Sequence, residues 1–338
     1  MFLLRSTPSP PIRALRRTPR IVIASAPPRS YSYPYSSSSK YSKMSVSTKQ
    51  EAEIKRNPHP DFKTVEAERP DWDKEATLRY TKTADPSWTF GGGANALAQG
   101  TGKKHVCIDP YAPGRPSPFN YKLLISGIVP RPIGFVSSQS ADGKTRNLAP
   151  FSYFNLVNHD PPLFIIGFSL PAEGPKDTLR NLLESGECVV SIISEHFVEA
   201  ANATSVDAPY GASEWDVSGL TPAFDCADVK APRVQEAVFS IECKLDSHKE
   251  YESRATPGKK TGCVVVLEGT RFWVREDALD EDQSQISPEI LRPIGRLGGI
   301  TYSRLIDAME IPRPRFKEDV GGMEGYEKLK KSDGGASK

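Results

Sequence analysis

Apolar runs of strand length, each closed by a turn after a few residues, limit what the middle of this chain can fold into. IGFVSSQ, NLAPFSYF, PPLFIIGFS, CVVSIIS, AVFSIECKLDSH and GCVVVLEGTRFWVRED follow one another between Ile133 and Asp277, with only short helical patterns among them. Many strands at short spacing predict an antiparallel barrel and argue against a doubly wound sheet. No GxGxxG follows a strand, so a Rossmann dinucleotide unit is not expected. In AVFSIECKLDSH, Phe239, Ile241, Cys243 and Leu245 alternate with Ser240, Glu242, Lys244 and Asp246. That period of two predicts a strand with one face wet. PPLFIIGFS is nearly continuous in apolar residues and is expected to be covered on both faces.

The stretch from Tyr121 to Phe154 concentrates the chemistry. Asp142-Gly143, flanked by apolar runs, predicts a hairpin that sets Arg131, Ser137 and Ser138 beside the segment Asn147 to Ser152. Hydroxyls, a cation, backbone amides and an aromatic wall would then share one pocket, which suits an anionic, planar ligand. Downstream, KDTLRNLLESGE predicts a helix capped by Asp177, with Leu179, Leu182 and Leu183 on one face and Gly186 just past its end. Lys176 and the Thr178 amide then lie at a helix N-terminus, where unpaired N–H groups and the dipole favour an anion such as phosphate. The alternative is a capped surface helix with a solvated lysine. EHFVEAANATS reads as a short helix, and DAPYGASEWDVSGLTP as a loop whose Tyr210 and Trp215 are available to cover a pocket. RPIGRLGGITY, from Arg292, is too glycine-rich for a simple strand. It brings Arg296 and the Gly298-Gly299 backbone within reach of a ligand, or else forms a tight turn with Arg296 at the surface.

With 25% charged and 38% hydrophobic residues, the 338-residue chain is expected to be globular, and its net charge of +2 gives no bulk attraction to nucleic acid. Residues 1–50 hold nine Lys and Arg and no acid, which leaves the remainder at −7. This Arg-rich, Ser-rich start predicts a mitochondrial targeting leader over residues 1–44. The alternatives are a disordered leader without an address, and translation from Met44 with a cytoplasmic location. No stretch approaches the roughly 20 apolar residues of a membrane span. Five scattered cysteines without CxxC spacing and five histidines without an HxxxH pair give no expectation of a metal. Residues 45–107 form a polar extension in which Trp72, Tyr80, Trp88 and Phe90 predict docking across the domain surface through aromatic packing. Residues 311–338 are expected to be a mostly solvated tail.

RPIGFVSS, NLAPFSYFN, KDTLRNL, GLT at Gly219 and RPIGRLGGITY, in that order between residues 108 and 307, resemble the flavin reductase-like, FMN-binding split-barrel family. The resemblance implies a mainly β fold over residues 108–310, an antiparallel Greek-key split barrel with a few short helices. It also implies a homodimer with FMN near the interface. Arg131, Ser137 and Ser138 would line the phosphate and ribityl side, joined at the phosphate by Lys176 and Thr178. Asn147, Ala149, Pro150, Phe151 and Ser152 would run along the isoalloxazine ring, with Arg296 and Tyr302 close by. The activity implied is an FMN-dependent oxidoreductase that takes a hydride from NADH or NADPH and passes electrons to flavin, oxygen or a small organic acceptor. A flavin-binding electron carrier without nicotinamide turnover is the alternative. A serine hydrolase is poorly supported, since no serine sits in GxSxG.

Overall fold

The computed structural model describes residues 62–95, 102–171 and 174–333. The predicted leader, Met44 and Glu173 lie outside the described residues. Before the barrel come a short helix α1 (Phe62–Ala67), a strand β1 (Arg79–Thr81) and a helix α2 (Ser117–Gly127). The barrel strands are β2 (Gly134–Gln139), β3 (Arg146–Phe151), β4 (Phe154–His159), β5 (Pro162–Ser169), β6 (Glu187–Ile192), β9 (Phe239–Glu252) and β10 (Lys260–Val274). Helix α3 (Asp177–Ser185) separates β5 from β6. Helices α4 (Val198–Ala203) and α5 (Glu214–Ser218), with the small strands β7 (Pro222–Ala223) and β8 (Arg233–Val234), separate β6 from β9. After β10 follow α6 (Pro288–Leu291), β11 (Ile294–Arg296), β12 (Tyr302–Arg304), β13 (Asp307–Met309) and α7 (Gly322–Asp333).

The seven barrel strands form one antiparallel sheet in the order β3-β2-β6-β9-β10-β5-β4. Its two edge strands, β3 and β4, are joined through Ser152 and Tyr153 alone. The sheet must therefore curl until its edges meet at that link. No ladder joins β3 to β4; the seam is held by the Gly167 amide donating to Tyr153 O (2.8 Å) and by the Phe151 and Phe168 rings, 4.6 Å apart. The fold is thus mainly β, a split barrel. Gly134 is required at the seam, because a Cβ there would lie 2.9 Å from the Phe154 ring.

The Asp142-Gly143 hairpin forms as expected. Gly143 takes φ +75° and donates to Ser140 O (2.9 Å), while the Ser140 hydroxyl and the Lys144 amide bind the Asp142 carboxylate and hold it down to about 2. The β2–β3 register places Ser138 opposite Asn147 and Phe135 opposite Pro150. One face of β2 sends Val136 into the barrel core with Phe151, Ile166, Leu182, Ile241 and Val265. Its other face sends Phe135 into a second core with Leu148, Ile193, Phe197, Trp215 and Ile294. Complete burial of a side chain like Phe135 contributes about 1.5–3 kcal/mol.

Three expectations are corrected. PPLFIIGFS does alternate, with Phe164, Ile166 and Phe168 inside and Leu163, Ile165 and Gly167 half-buried, because the described residues cover the outer side of β5 only in part. The expected wet face of β9 is dry around Ser240 and Glu242, both within 1% of full burial. There the Glu242 carboxylate accepts from the amides of Ala227, Asp228 and Val229 and from Trp273 Nε1 (2.6–3.1 Å). Residues 226–231 fold over that face because the carboxylate satisfies their amides. The extension does dock, but Trp72, Tyr80 and Trp88 remain about half exposed, so aromatic burial is not what holds it. The tail is mostly exposed over 311–330, as expected, and carries the helix α7, with Lys328–Glu324 and Lys330–Glu327 pairs along its surface.

Burial pushes the Glu242 carboxyl up, but the Trp273 indole and the three amides outweigh it and hold the group below its ordinary value of 4.5. Its stabilising effect is therefore complete above that value. As pH falls toward the lowered folded value, the unfolded chain takes up a proton first and the effect is lost. Glu242→Gln is expected to leave at least one buried amide without an acceptor, at about 1–3 kcal/mol each near pH 7. Urea midpoints at pH 7 and pH 3.5 check this; a difference between variant and parent that does not shrink at pH 3.5 would refute the assignment.

Candidate functional site

The seam of the barrel opens into a cleft of about 510 Å³. Tyr121 and Ile125 of α2 form one side, and Pro150, Phe151, Ser152 and Tyr153 at the β3–β4 link form the floor. Lys176 stands at the start of α3, and Arg296, Gly299 and Tyr302 of the β11–β12 hairpin close the far side. A second chamber of about 660 Å³ adjoins it, sharing Pro150, Lys176 and Ser205. Asn147, Ala149, Thr178, Arg180, Thr204, Tyr210 and Glu214 line this second space. Ten of the twelve residues picked from the sequence line one or both chambers: Arg131, Asn147, Ala149, Pro150, Phe151, Ser152, Lys176, Thr178, Arg296 and Tyr302.

Ser137 and Ser138 line neither. Both are fully buried, and Ser138 Oγ accepts from Asn181 Nδ2 of α3 (3.2 Å). The expectation that they line the phosphate and ribityl side is corrected: β2 lies between β3 and β6 and is covered on both faces, so neither of its alternating side chains reaches the surface.

Arg131 lines the cleft, yet its guanidinium is already engaged. Nη1 donates to Ile125 O and Ile128 O (both 2.6 Å), Nη2 to Leu297 O (3.0 Å) and Nε to Ser152 Oγ (3.4 Å). Its main chain also exchanges two hydrogen bonds with Arg296 (3.0 and 2.9 Å). Arg131 therefore joins the end of α2, the β11–β12 loop and the β3–β4 link, and its expected role as a phosphate ligand is corrected to that of an organiser.

Arg296 differs. Nη2 donates to Gly299 O (2.9 Å) and the guanidinium lies 4.2 Å from the centre of the Tyr302 ring, while Nη1 is buried with no hydrogen-bond partner. A buried guanidinium nitrogen without an acceptor costs about 1–3 kcal/mol or more, and beside a cleft it marks the place for an anionic or carbonyl oxygen. Tyr302 donates to Asn202 Oδ1 (2.8 Å); burial pushes its phenol up, with Arg296 opposing, so it stays protonated. Gly298 is needed where the loop passes α2, since a Cβ would sit 3.2 Å from Ser126.

Helix α3 ends at Gly186 in the left-handed conformation (φ +73°), as expected, with Leu179 and Leu182 buried. Its N-cap is Lys176, not Asp177, and the Lys176 side chain makes no capping bond. Asp177 is the first helical residue, and burial pushes its carboxyl up against the pull of Arg180. Lys176 Nζ lies 5.9 Å from the centre of the Phe151 ring, and no carboxylate among the described residues pairs with it. Asn147 Oδ1 accepts from Thr178 Oγ1, and Asn147 Nδ2 donates to Glu214 Oε2 (2.7 Å). Glu214 is 6% exposed and belongs to a segment expected to be loop. No local motif marks it. Of the two aromatic residues proposed as covers, Tyr210 lines the second chamber and stacks with Arg180 (4.3 Å), whereas Trp215 is in the core.

Residues 126–290 match the flavin reductase like domain. A protein of Aquifex aeolicus (strain VF5), itself uncharacterized, is 40% identical over 184 residues, 54% of this chain and 88% of the relative. The chain belongs to the flavin reductase-like family. Among solved structures, nitrilotriacetate monooxygenase component B from Bacillus cereus is 35% identical with a TM-score of 0.57, covering 62% of this chain and 99% of that one. The Pseudomonas fluorescens 2-nitrobenzoate 2-nitroreductase is 29% identical with a TM-score of 0.53, covering 63% and 98%. A flavin is the cofactor class that membership implies, and this flavin reductase-like chain offers it two features. An unpartnered buried donor on Arg296 faces a cleft walled by Phe151 and Tyr302, and an unpaired lysine stands at a helix start.

If Arg131 organises the cleft, Arg131→Lys loses several buried hydrogen bonds that one ammonium cannot replace. The denaturation midpoint is then expected to fall by the equivalent of about 2–4 kcal/mol. A variant as stable as the parent but weakened only in flavin binding would return Arg131 to the role of ligand.

Proposed function

We propose that the cleft binds FMN and that the protein is an FMN-dependent oxidoreductase reduced by NADH or NADPH. The observation that carries this reading is the Arg296 Nη1 donor, buried and without a partner at the cleft. Lys176 and the free amides at the start of α3 would hold the phosphate, where charge-assisted bonds are strong. Phe151, Pro150 and Tyr302 supply flat walls for the ring, and Arg296 places positive charge at its polar edge. A bound flavin supplies hydride and electron transfer, and the protein supplies binding, orientation and electrostatics. Arg296 then favours the added negative charge of a reduced ring, while Tyr302, held by Asn202, stacks on Arg296 and restricts its rotation. No side chain has to act as a nucleophile.

A homodimer is part of the same proposal. Helix α2 buries only Ile125 and leaves Phe119, Leu123 and Leu124 at 43–55% exposure, beside the cleft residue Tyr121. A second copy that covered this apolar side would also shield the cleft from water.

Purified full-length protein is expected to keep a yellow chromophore after FMN addition and desalting, or to bind it in titration, and to bleach under anaerobic NADH or NADPH. Arg296→Ala is expected to weaken FMN roughly ten- to hundredfold, as loss of one charge-assisted bond predicts. Protein that binds no FMN at any concentration overturns the reading. A chromophore that binds and resists both nicotinamides assigns an electron carrier instead.

A further inference from the structure

The β11–β12 hairpin carries Arg296, Gly299 and Tyr302 but is not part of the seven-stranded sheet. Its ladder is three residue pairs long, Ile294 with Arg304, Gly295 with Ser303 and Arg296 with Tyr302. An isolated pair of such strands is marginal in water. One side is tied to Arg131, as described. The other is held by Glu195, whose side chain is 7% exposed. Arg292, just before β11, donates to Glu195 Oε2 (2.7 and 3.0 Å). Arg304, at the end of β12, donates to Oε1 (2.9 Å) and Oε2 (3.1 Å). Arg292 also holds φ +41°, a left-handed conformation that a non-glycine residue keeps only when its surroundings over-determine it.

Two guanidinium groups on one carboxylate leave donors over. Those donors reach a segment more than 200 residues away in sequence. Arg304 Nη1 donates to Asp73 O (3.0 Å), and Arg292 Nη2 and Arg304 Nη2 donate to Ala76 O (3.1 and 3.4 Å). The Trp72 ring lies over the Arg304 guanidinium at 4.0 Å. The segment then runs on along the chain that leaves β12. The Arg79 amide donates to Ile306 O (3.0 Å), β1 pairs in parallel with β13, and Arg79 pairs with Asp307. Residues 72–81 thus cross the outside of the hairpin whose inner side faces the cleft. They lie outside residues 126–290, the part that matches the family.

We propose that residues 72–81 are a strap that locks the β11–β12 hairpin in place, and that Glu195 is the positioning residue through which the strap presents Arg296 and Tyr302 to the flavin. The strap itself buries little and is held by hydrogen bonds, a three-pair ladder, one exposed ion pair and one stacked ring, so it belongs to the part of the molecule that opens most easily. Release of the strap lowers the fraction of molecules with an ordered hairpin, and apparent affinity falls by that fraction. Turnover by molecules that do hold flavin is unchanged. This inference rests on the reading of the cleft as a flavin site.

The test uses full-length Trp72→Ala and Glu195→Gln, with amide hydrogen exchange of residues 294–304, the Kd for FMN, and NADH or NADPH oxidation at saturating FMN. Both variants are expected to exchange faster over 294–304 with β9 and β10 unchanged. Each should raise the Kd roughly tenfold, as a tenfold drop in the competent fraction requires, and keep kcat. Exchange over 294–304 as slow in Trp72→Ala as in the parent overturns the strap, as does faster exchange with an unaltered Kd. If Glu195→Gln fails to fold, Trp72→Ala decides, because its ring is 52% exposed and supports no core. If the parent binds no FMN, the flavin reading falls by itself, and the exchange of 294–304 alone upholds or overturns the strap.

Discussion

A single guanidinium ties together three segments that no β-ladder joins. Arg131 takes carbonyls at the end of α2 and in the β11–β12 loop, and the Ser152 hydroxyl at the barrel seam. Arginine suits this task because its five donors are fixed in a plane and its charge is weakly hydrated, so it can be withdrawn from water when every direction finds an acceptor. The hairpin is also fixed to the barrel through the Ile294 amide on Ile193 O (3.2 Å) and the buried Ile294 side chain; Arg131 links it to the end of α2, so that the two stand on opposite sides of one cleft.

The barrel contributes the floor. Because β3 and β4 are consecutive in the chain yet occupy opposite edges of the sheet, two residues must span the seam. Their backbone cannot belong to both ladders. Ser152 and Tyr153 therefore line the cleft, flanked by Phe151 and Lys176. The opening in the sheet and the binding cleft have the same cause, and Gly134, which lets Phe154 pack against the backbone, permits the curl that produces both.

Much of this was legible in the sequence, and the failures have a common source. The hairpin at Asp142-Gly143, the Gly186 helix end and the succession of strands are set by local chemistry, which a sequence carries openly. Ser240 and Glu242 were misjudged because alternation reports a wet face only when one side of a strand is solvated, and here a second layer covers the polar side; Ser137 and Ser138 were placed by the hairpin and the resemblance, neither of which shows how deeply β2 is buried. Asp177 was placed one residue out because Asp is favoured both as a cap and in the first turn. Arg131 was read as a ligand because residue type shows charge but not which acceptors will surround it. Glu195 and Glu214 gave no signal, since their partners lie 97 to 109 and 66 to 67 residues away in the chain. Long-range polar contacts are the part of a fold least visible to local pattern.

The distribution of cations bears on the proposed cofactor. Arg131 gives four of its five donors to three carbonyls and the Ser152 hydroxyl, Arg180 is stacked on Tyr210, and Arg292 and Arg304 belong to Glu195. Among the described residues around the cleft, that leaves Lys176 without a carboxylate partner and Arg296 with an empty donor. The two differ in kind. Lys176 is exposed on a flexible stem at a helix start, where a hydrated dianion can be captured with little desolvation. Arg296 is half-buried, planar and pinned against Tyr302, where a fixed donor discriminates by position. A ligand that satisfies both must carry a mobile phosphate at one end and a rigid, flat group with a polar edge at the other. That division of labour is what the proposed FMN would need at its two ends, and under that proposal the rigid cation, whose geometry matters, sits on the hairpin held from both sides, while the flexible one does not.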